Sequence, residues 1–194
     1  MKSYNNQSGR SMVEILGVLA IVAVLSVGGI AGYSKAMAKF KIGKTLDQVS
    51  TLVTEIRSLY SGSNEYQGIS VTSLITYQII PNEMIVDANN AKNVFGTPIL
   101  IGPWDGGVAG SNVGFEIIYN GLSKNTCIQL ATADWGGSAA SSFVGMQITG
   151  ASIALNTNLA SEFSWLNGNY PLNMVTAGAE CADDVDNSIS WIYR

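Results

Sequence analysis

The sequence predicts an α+β protein built on one long N-terminal helix, and three observations predict it. An uncharged run of 19 residues, Ile15 to Tyr33, follows the lone acid Glu14. Directly after it, Ile42, Leu46, Val49, Val53, Ile56 and Tyr60 recur at alternating steps of four and three, the spacing of a single helical stripe. Beyond Tyr60 the pattern changes to short apolar runs that read as strands, separated by turn-forming residues.

The first two patterns belong to one helix. No proline interrupts residues 11–80, the four prolines being Pro81, Pro98, Pro103 and Pro171. The reading is a helix from about Ser11 to about Tyr60, roughly 75 Å long at helical rise. Its first half is apolar all round. Its second half is amphipathic, with Thr45, Asp47, Gln48, Ser50, Glu55 and Arg57 assigned to solvent. The uncharged run is close to the ~30 Å hydrocarbon core of a bilayer, and longer than the ~7–15 residues of a secretory h-region. Ala36-Met37-Ala38 has the form of a signal cleavage site, so removal of the whole segment stays open as an alternative. Continuity with the amphipathic half argues for retention.

The remaining elements follow in order. Tyr60-Ser61-Gly62-Ser63-Asn64 ends the helix with turn chemistry. Ser70 caps a short helix bearing Val71, Leu74, Ile75 and Ile79 on one side, stopped by Pro81. Asn93–Ile101 and Val113–Tyr119 read as strands joined by the glycine-rich loop GPWDGGVAGSN, a long hairpin loop rather than a phosphate cradle because no helix follows it. Ser123 caps a helix through Cys127, Ile128 and Leu130, and Phe143–Ile148 is a further strand. A helix near Asn173–Cys181 precedes a last strand, Ile189–Tyr193, in which Ile189, Trp191 and Tyr193 share one face.

Composition narrows the function. At 194 residues the chain allows one anchored domain. Residues 1–60 carry seven Lys/Arg against three Asp/Glu, and residues 61–194 carry three against eleven. The C-terminal part is thus net −8, which opposes direct nucleic-acid binding by one subunit through a basic patch. There is no histidine and there are only two cysteines, so histidine–cysteine zinc sites, Ser-His-Asp triads and Cys-His pairs are excluded. Cys127 and Cys181 predict one disulfide in an exported domain, two free thiols being the alternative. Charge around the apolar run points the other way. Lys2 and Arg10 precede it, but Lys35, Lys39, Lys41 and Lys44 follow, and the positive-inside rule alone puts the lysine side in the cytoplasm. The cysteines and the leader described next outweigh that count.

A polar piece, MKSYNNQSG, opens the chain, and Gly9-Arg10-Ser11-Met12-Val13-Glu14 then sets a glycine five residues before the acid. Here the sequence resembles the type IV pilin family, whose leaders a membrane prepilin peptidase cuts after such a glycine. The resemblance implies a leader of residues 1–9 ending at Gly9, and a mature N-terminus at Arg10 whose amine is typically methylated. It implies a transmembrane and filament-core helix half over residues 10–34, and an exterior globular domain over residues 35–194. The chain departs from the family at Arg10, where members usually carry Phe, Met or Leu. Glu14 gains a role: a carboxylate under hydrocarbon is costly, and pairing with the Arg10 amine of a neighbouring subunit compensates it and sets the axial stagger. Snorkelling of Glu14 to the interface is the plainer alternative.

The likeness extends further. RSLYSGSNEYQGIS, IIPNEMI, NVFGTPILIGP and TCIQLAT occur in the order of the bundlin-like type IVb pilins, and Cys127 and Cys181 match that group's disulfide positions. The expected fold is therefore the type IV pilin fold, a long helix packed through its second half on an antiparallel β-sheet. The expected function is a structural subunit, the major pilin of a type IVb pilus, with no enzymatic activity and no cofactor. Its partners are copies of itself, the membrane, the prepilin peptidase and the inner-membrane assembly machinery. It starts in the inner membrane and ends in an extracellular filament. The rivals are a type II secretion pseudopilin and a secreted globular adhesin cut after Ala38.

Three smaller features complete the reading. Gly28, Gly29 and Gly32 mark a flexible region of the apolar helix, with Gly28 and Gly32 at small-xxx-small spacing. Asp184-x-Asp186-x-Ser188, beside Asp183, has the opening of a calcium loop without its glycine or its closing glutamate, so a solvated turn is the expectation. Trp104, Trp135 and Trp165 read as loop anchors, surface adhesion being the alternative.

Overall fold

The computed structural model describes residues 12–63, 65–136, 142–155 and 169–194. The chain divides into two compact units, residues 1–40 and 41–194.

Helix α1 runs from Met12 to Leu59, 48 residues without a break, matching the expected Ser11–Tyr60. Every buried residue of α1 lies in its second half: Ile42, Thr45, Gln48, Val49, Leu52, Val53 and Ile56. The expected stripe is there, but Thr45 and Gln48, assigned to solvent from sequence, are buried. A helix lying on a broad apolar surface covers an arc wider than a coiled-coil seam, so the positions flanking the seam go under as well. The Thr45 hydroxyl meets its need locally, donating to the Lys41 carbonyl at 2.9 Å.

Helix α2 is Val71–Thr76. Ser70 is its N-cap, accepting from the Ser73 N–H, while the Ser73 hydroxyl accepts from the Ser70 N–H. Its end corrects the expectation that Pro81 stops it. Gln78 adopts φ 59°, and the Ile79 and Gln78 N–H groups donate back to the Leu74 and Ile75 carbonyls at 2.9 and 3.0 Å. That is a Schellman ending with glutamine in the usual glycine place. The chain has left the helix before Pro81 acts.

The sheet holds β1 (Ile99–Trp104), β2 (Gly114–Leu122), β3 (Phe143–Thr149) and β4 (Asn187–Tyr193) in the order β1-β2-β4-β3, all pairs antiparallel. Helices α3 (Lys124–Ala131) and α4 (Met174–Glu180) are capped by Ser123 and Asn173. The expected strand at Asn93 begins only at Ile99, because residues 93–97 form a turn around one side chain. The Asn93 carboxamide oxygen accepts from the Phe95 and Thr97 N–H groups, and its amide donates to the Thr97 hydroxyl at 2.8 Å. At its other end β1 runs on through Pro103, which an edge strand tolerates because a missing N–H there breaks no ladder. β2 also runs longer than expected, past a register shift between Tyr119 and Leu122 where Gly121 takes φ 70°.

One sheet face carries Ile101, Phe115, Ile117, Tyr119, Ile189, Trp191 and Tyr193 into the core with α1. Ile189, Trp191 and Tyr193 thus share a face as expected. β4 is nevertheless buried on both sides, since it is a central strand and Ile192 joins Trp104 and Val144 on the opposite face. The segment after β3 returns along β2 there: the Asn120 carboxamide donates to the Ile153 carbonyl and accepts from its N–H, each at 3.0 Å.

Candidate assembly elements

Helix α1 supplies the first exposed surface. Its first half exposes Val13, Leu16, Leu19, Ile21, Val24 and Leu25, each more than half accessible. The most apolar stretch has a mean hydropathy of 2.5 with none of it buried. Length and composition suffice to cross a bilayer. Glu14 stands in the first turn of this helix, exposed, where a negative charge suits the positive end of the helix dipole. Gly9 and Arg10, the expected cleavage site and amine partner, lie outside the described residues.

Gly28, Gly29 and Gly32 leave open space where a side chain would stand, and the helix runs through them unbroken. Two hydroxyls flank them, Ser26 donating to the Val22 carbonyl at 2.7 Å and Ser34 to the Ile30 carbonyl at 3.0 Å. Such back-bonding satisfies a hydroxyl in an apolar medium and favours bending.

Within residues 41–194 a Cys127–Cys181 disulfide joins α3 to the residue that caps α4, with Cα atoms 5.9 Å apart. Both cysteines are fully buried. Just beyond Cys181 the acidic turn is built around Asp183, whose carboxylate accepts the N–H groups of Val185 and Asp186 at 2.8 and 2.9 Å. Those bonds hold its carboxyl below the usual aspartate range. Asn187, which sequence reasoning passed over, forms the floor: its amide donates to the Leu122 carbonyl at 3.0 Å, and its oxygen accepts the Asp183 N–H. An Asn at the turn-to-strand junction was the available signal. The calcium pattern does not converge. Asp184 and Asp186 point to solvent while Ser188 is buried in β4, and among the described residues no group of three ligating side chains gathers.

Other missed residues organise loops and charge. Asp105, at the end of β1, accepts the Gly110 and Asn112 N–H groups at 3.0 Å and shapes the hairpin loop. Lys44 meets Glu83 at 2.5 Å, and the hydrogen bond to Lys44 holds the Glu83 carboxyl below its ordinary value. Glu116 is fully buried and accepts from the Ser190 hydroxyl at 3.1 Å. Trp104 and Trp135 are buried, anchors rather than open platforms; Trp165 lies outside the described residues. A groove of about 520 Å³ between α1 and the end of β4 is lined by Arg57, Asp134, Trp135 and Tyr193 among others.

The family described as "PilS N terminal" matches residues 40–194. The major structural subunit of bundle-forming pilus from Escherichia coli O127:H6 is 30% identical over 134 residues, covering 68% of this chain and 67% of the relative. The protein of the same description from Escherichia coli O111:H- matches to the same extent. Among solved structures, a type IV b pilin from Salmonella typhi superposes with a TM-score of 0.56 at 22% identity, covering 78% of this chain and 99% of that one.

Proposed function

This chain belongs to the type IVb pilin family, a family of structural subunits and not of enzymes, and on that premise we propose that it is the major subunit of a type IVb pilus. The observation that carries the reading is the apolar half of α1, which leaves every described residue from Met12 to Tyr33 exposed. At about 25 cal/mol per Å² of apolar area, such a rod is stable only in lipid or against copies of itself. The membrane receives it first, and the filament core second.

The sequence of events we propose joins these residues to what the family resemblance implies. Prepilin peptidase cuts after Gly9 and frees the Arg10 amine. The subunit waits in the inner membrane with residues 41–194 outside the cytoplasm, where the Cys127–Cys181 bond forms. On extraction into the growing filament, Glu14 loses its hydrated surroundings and is tolerated only if a cation answers it. The Arg10 amine of a neighbouring copy supplies that cation and fixes the stagger. One repeated head-to-tail contact does not close on itself, so it generates a fibre. Gly28, Gly29 and Gly32 give the helix its soft point for this packing. The continuity of α1 across Ala38 speaks against a signal cut there, which would sever the helix in its middle.

Mass spectrometry of the mature N-terminus tests the processing step. A start at Arg10, with or without a methyl group, is expected, and a start at Lys39 overturns the reading. Electron microscopy of sheared cells tests assembly. Wild type yields long surface fibres, whereas Glu14→Ala leaves the subunit membrane-inserted without them.

A further inference from the structure

We propose that Lys35 and Lys39 are an intersubunit cation pair that docks on the acidic α4–β4 turn of a second copy, through Asp184 and Asp186. The inference rests on the pilin reading above and adds a charged contact, outside the apolar core, that holds neighbouring copies together.

Four lysines follow the apolar run, and two are occupied within their own exterior unit. The Lys41 ammonium lies 5.7 Å from the centre of the Phe95 ring, and Lys44 is paired with Glu83. Lys35 and Lys39 are exposed and one helical turn apart, so they share a face and repel each other. Among the described residues the one ion pair is Lys44–Glu83, and it leaves this pair unanswered. The same two charges oppose the orientation of the chain, since basic residues on the exported flank run against the positive-inside rule. Two cations that disfavour both the helix and its insertion call for a compensating role after insertion.

The matching deficit lies at the other end of the chain. No Lys or Arg stands between Lys124 and Arg194, while Asp183, Asp184 and Asp186 crowd one turn and Glu180 ends α4 just before it. The Asp183 carboxylate is used internally by two N–H groups, but Asp184 and Asp186 are exposed. Their backbone is held in place: the Asp184 carbonyl accepts the Lys124 N–H at 3.1 Å, and Asn187 anchors the base of the turn. Carboxylates on a braced turn lose little entropy when a cation arrives. A metal ion is the competing cation, and the burial of Ser188 away from the two aspartates removes its third ligand. Two separate carboxylates suit two separate ammonium groups. Both groups are exposed and opposite in sign, so a second copy can supply to each the partner charge it needs.

The test uses the full-length chain in piliated cells, with sheared filaments quantified against total subunit. K35E/K39E is expected to lower the sheared yield about tenfold or more, as two exposed pairs repeated along a polymer would. Membrane insertion and Cys127–Cys181 formation should stay at wild-type levels. Adding D184K/D186K to that variant restores the yield to within about threefold of wild type, the charges now being exchanged. Normal yield from K35E/K39E, or a loss that the exchanged charges do not repair, overturns the proposal. So does a fall in the membrane-bound subunit itself, which assigns the lysines to anionic lipid headgroups instead. Glu14→Ala in parallel separates the two levels: if it assembles normally the pilin-core reading fails, and if it alone blocks assembly only the lysine contact fails.

Discussion

Helix α1 carries Leu19, Ile21, Val22 and Leu25 in its first half and Val49, Leu52, Val53 and Ile56 in its second. These are similar side chains on one unbroken helix, yet the first four are 52–69% exposed and the second four no more than 9%. The difference lies in what separates them. In the second half, polar residues occupy the rest of the circumference, so the apolar stripe has one direction and the chain's own sheet covers it. In the first half the apolar residues point every way, and no single face of a sheet can cover a cylinder. The same residue type therefore stabilises the fold in one half and calls for other molecules in the other.

That comparison breaks first at the disulfide. Cys127→Ser with Cys181→Ser should destabilise residues 41–194 by about 2–5 kcal/mol while leaving the apolar half in the membrane. Tryptophan fluorescence during urea unfolding of the full chain in detergent reads this selectively, because all four tryptophans lie beyond α1. Leu52→Ala is the next test. Leu52 is fully buried, so its truncation should cost about 2–5 kcal/mol, whereas Leu25→Ala, at 69% exposure, should leave the same transition unmoved. If both shifted it equally, the two halves would not be separate objects.

Smaller effects sharpen the picture. Ser70→Ala removes the N-cap of α2 and should cost about 1 kcal/mol, read from the same unfolding midpoint. Asp183 offers the smallest. Its carboxyl sits below the ordinary aspartate value because the Val185 and Asp186 N–H groups donate to it. Its contribution is therefore present above that ordinary value, near 3.8, and is lost as pH falls through the lowered value. Asp183→Asn should flatten the acid limb of stability in that window, because the small contribution is then missing at neutral pH while the acid end is unchanged, read from urea midpoints across pH.

Much of this was legible from local chemistry. Ser70 and Ser123 read as caps because short side-chain oxygens reach the first free N–H groups of a helix; the Asn173 cap came from the structure. β3 and β4 were visible as apolar runs. What escaped were places where one side chain overrules its neighbours. Asn93 bends an apolar stretch into a turn, and Gln78 enters the left-handed region usually left to glycine. Neither choice is written in periodicity. Glu116 is a further case: nothing near it in sequence shows that Ser190, on the neighbouring strand, will meet it in a buried layer.

By itself the sequence determined the long helix, its division into an all-round apolar half and a striped half, the uneven charge and the capped short helices. These depend on residues within a turn or two of one another, where backbone geometry sets the neighbours. Only the tertiary structure decided that Thr45 and Gln48 are buried and that β4 lies inside the sheet rather than at its edge. It also showed that Asp184 and Asp186 face water while Ser188 does not. Those outcomes depend on which distant surfaces meet, and long-range contact is set by the packing of the whole core rather than by any local pattern.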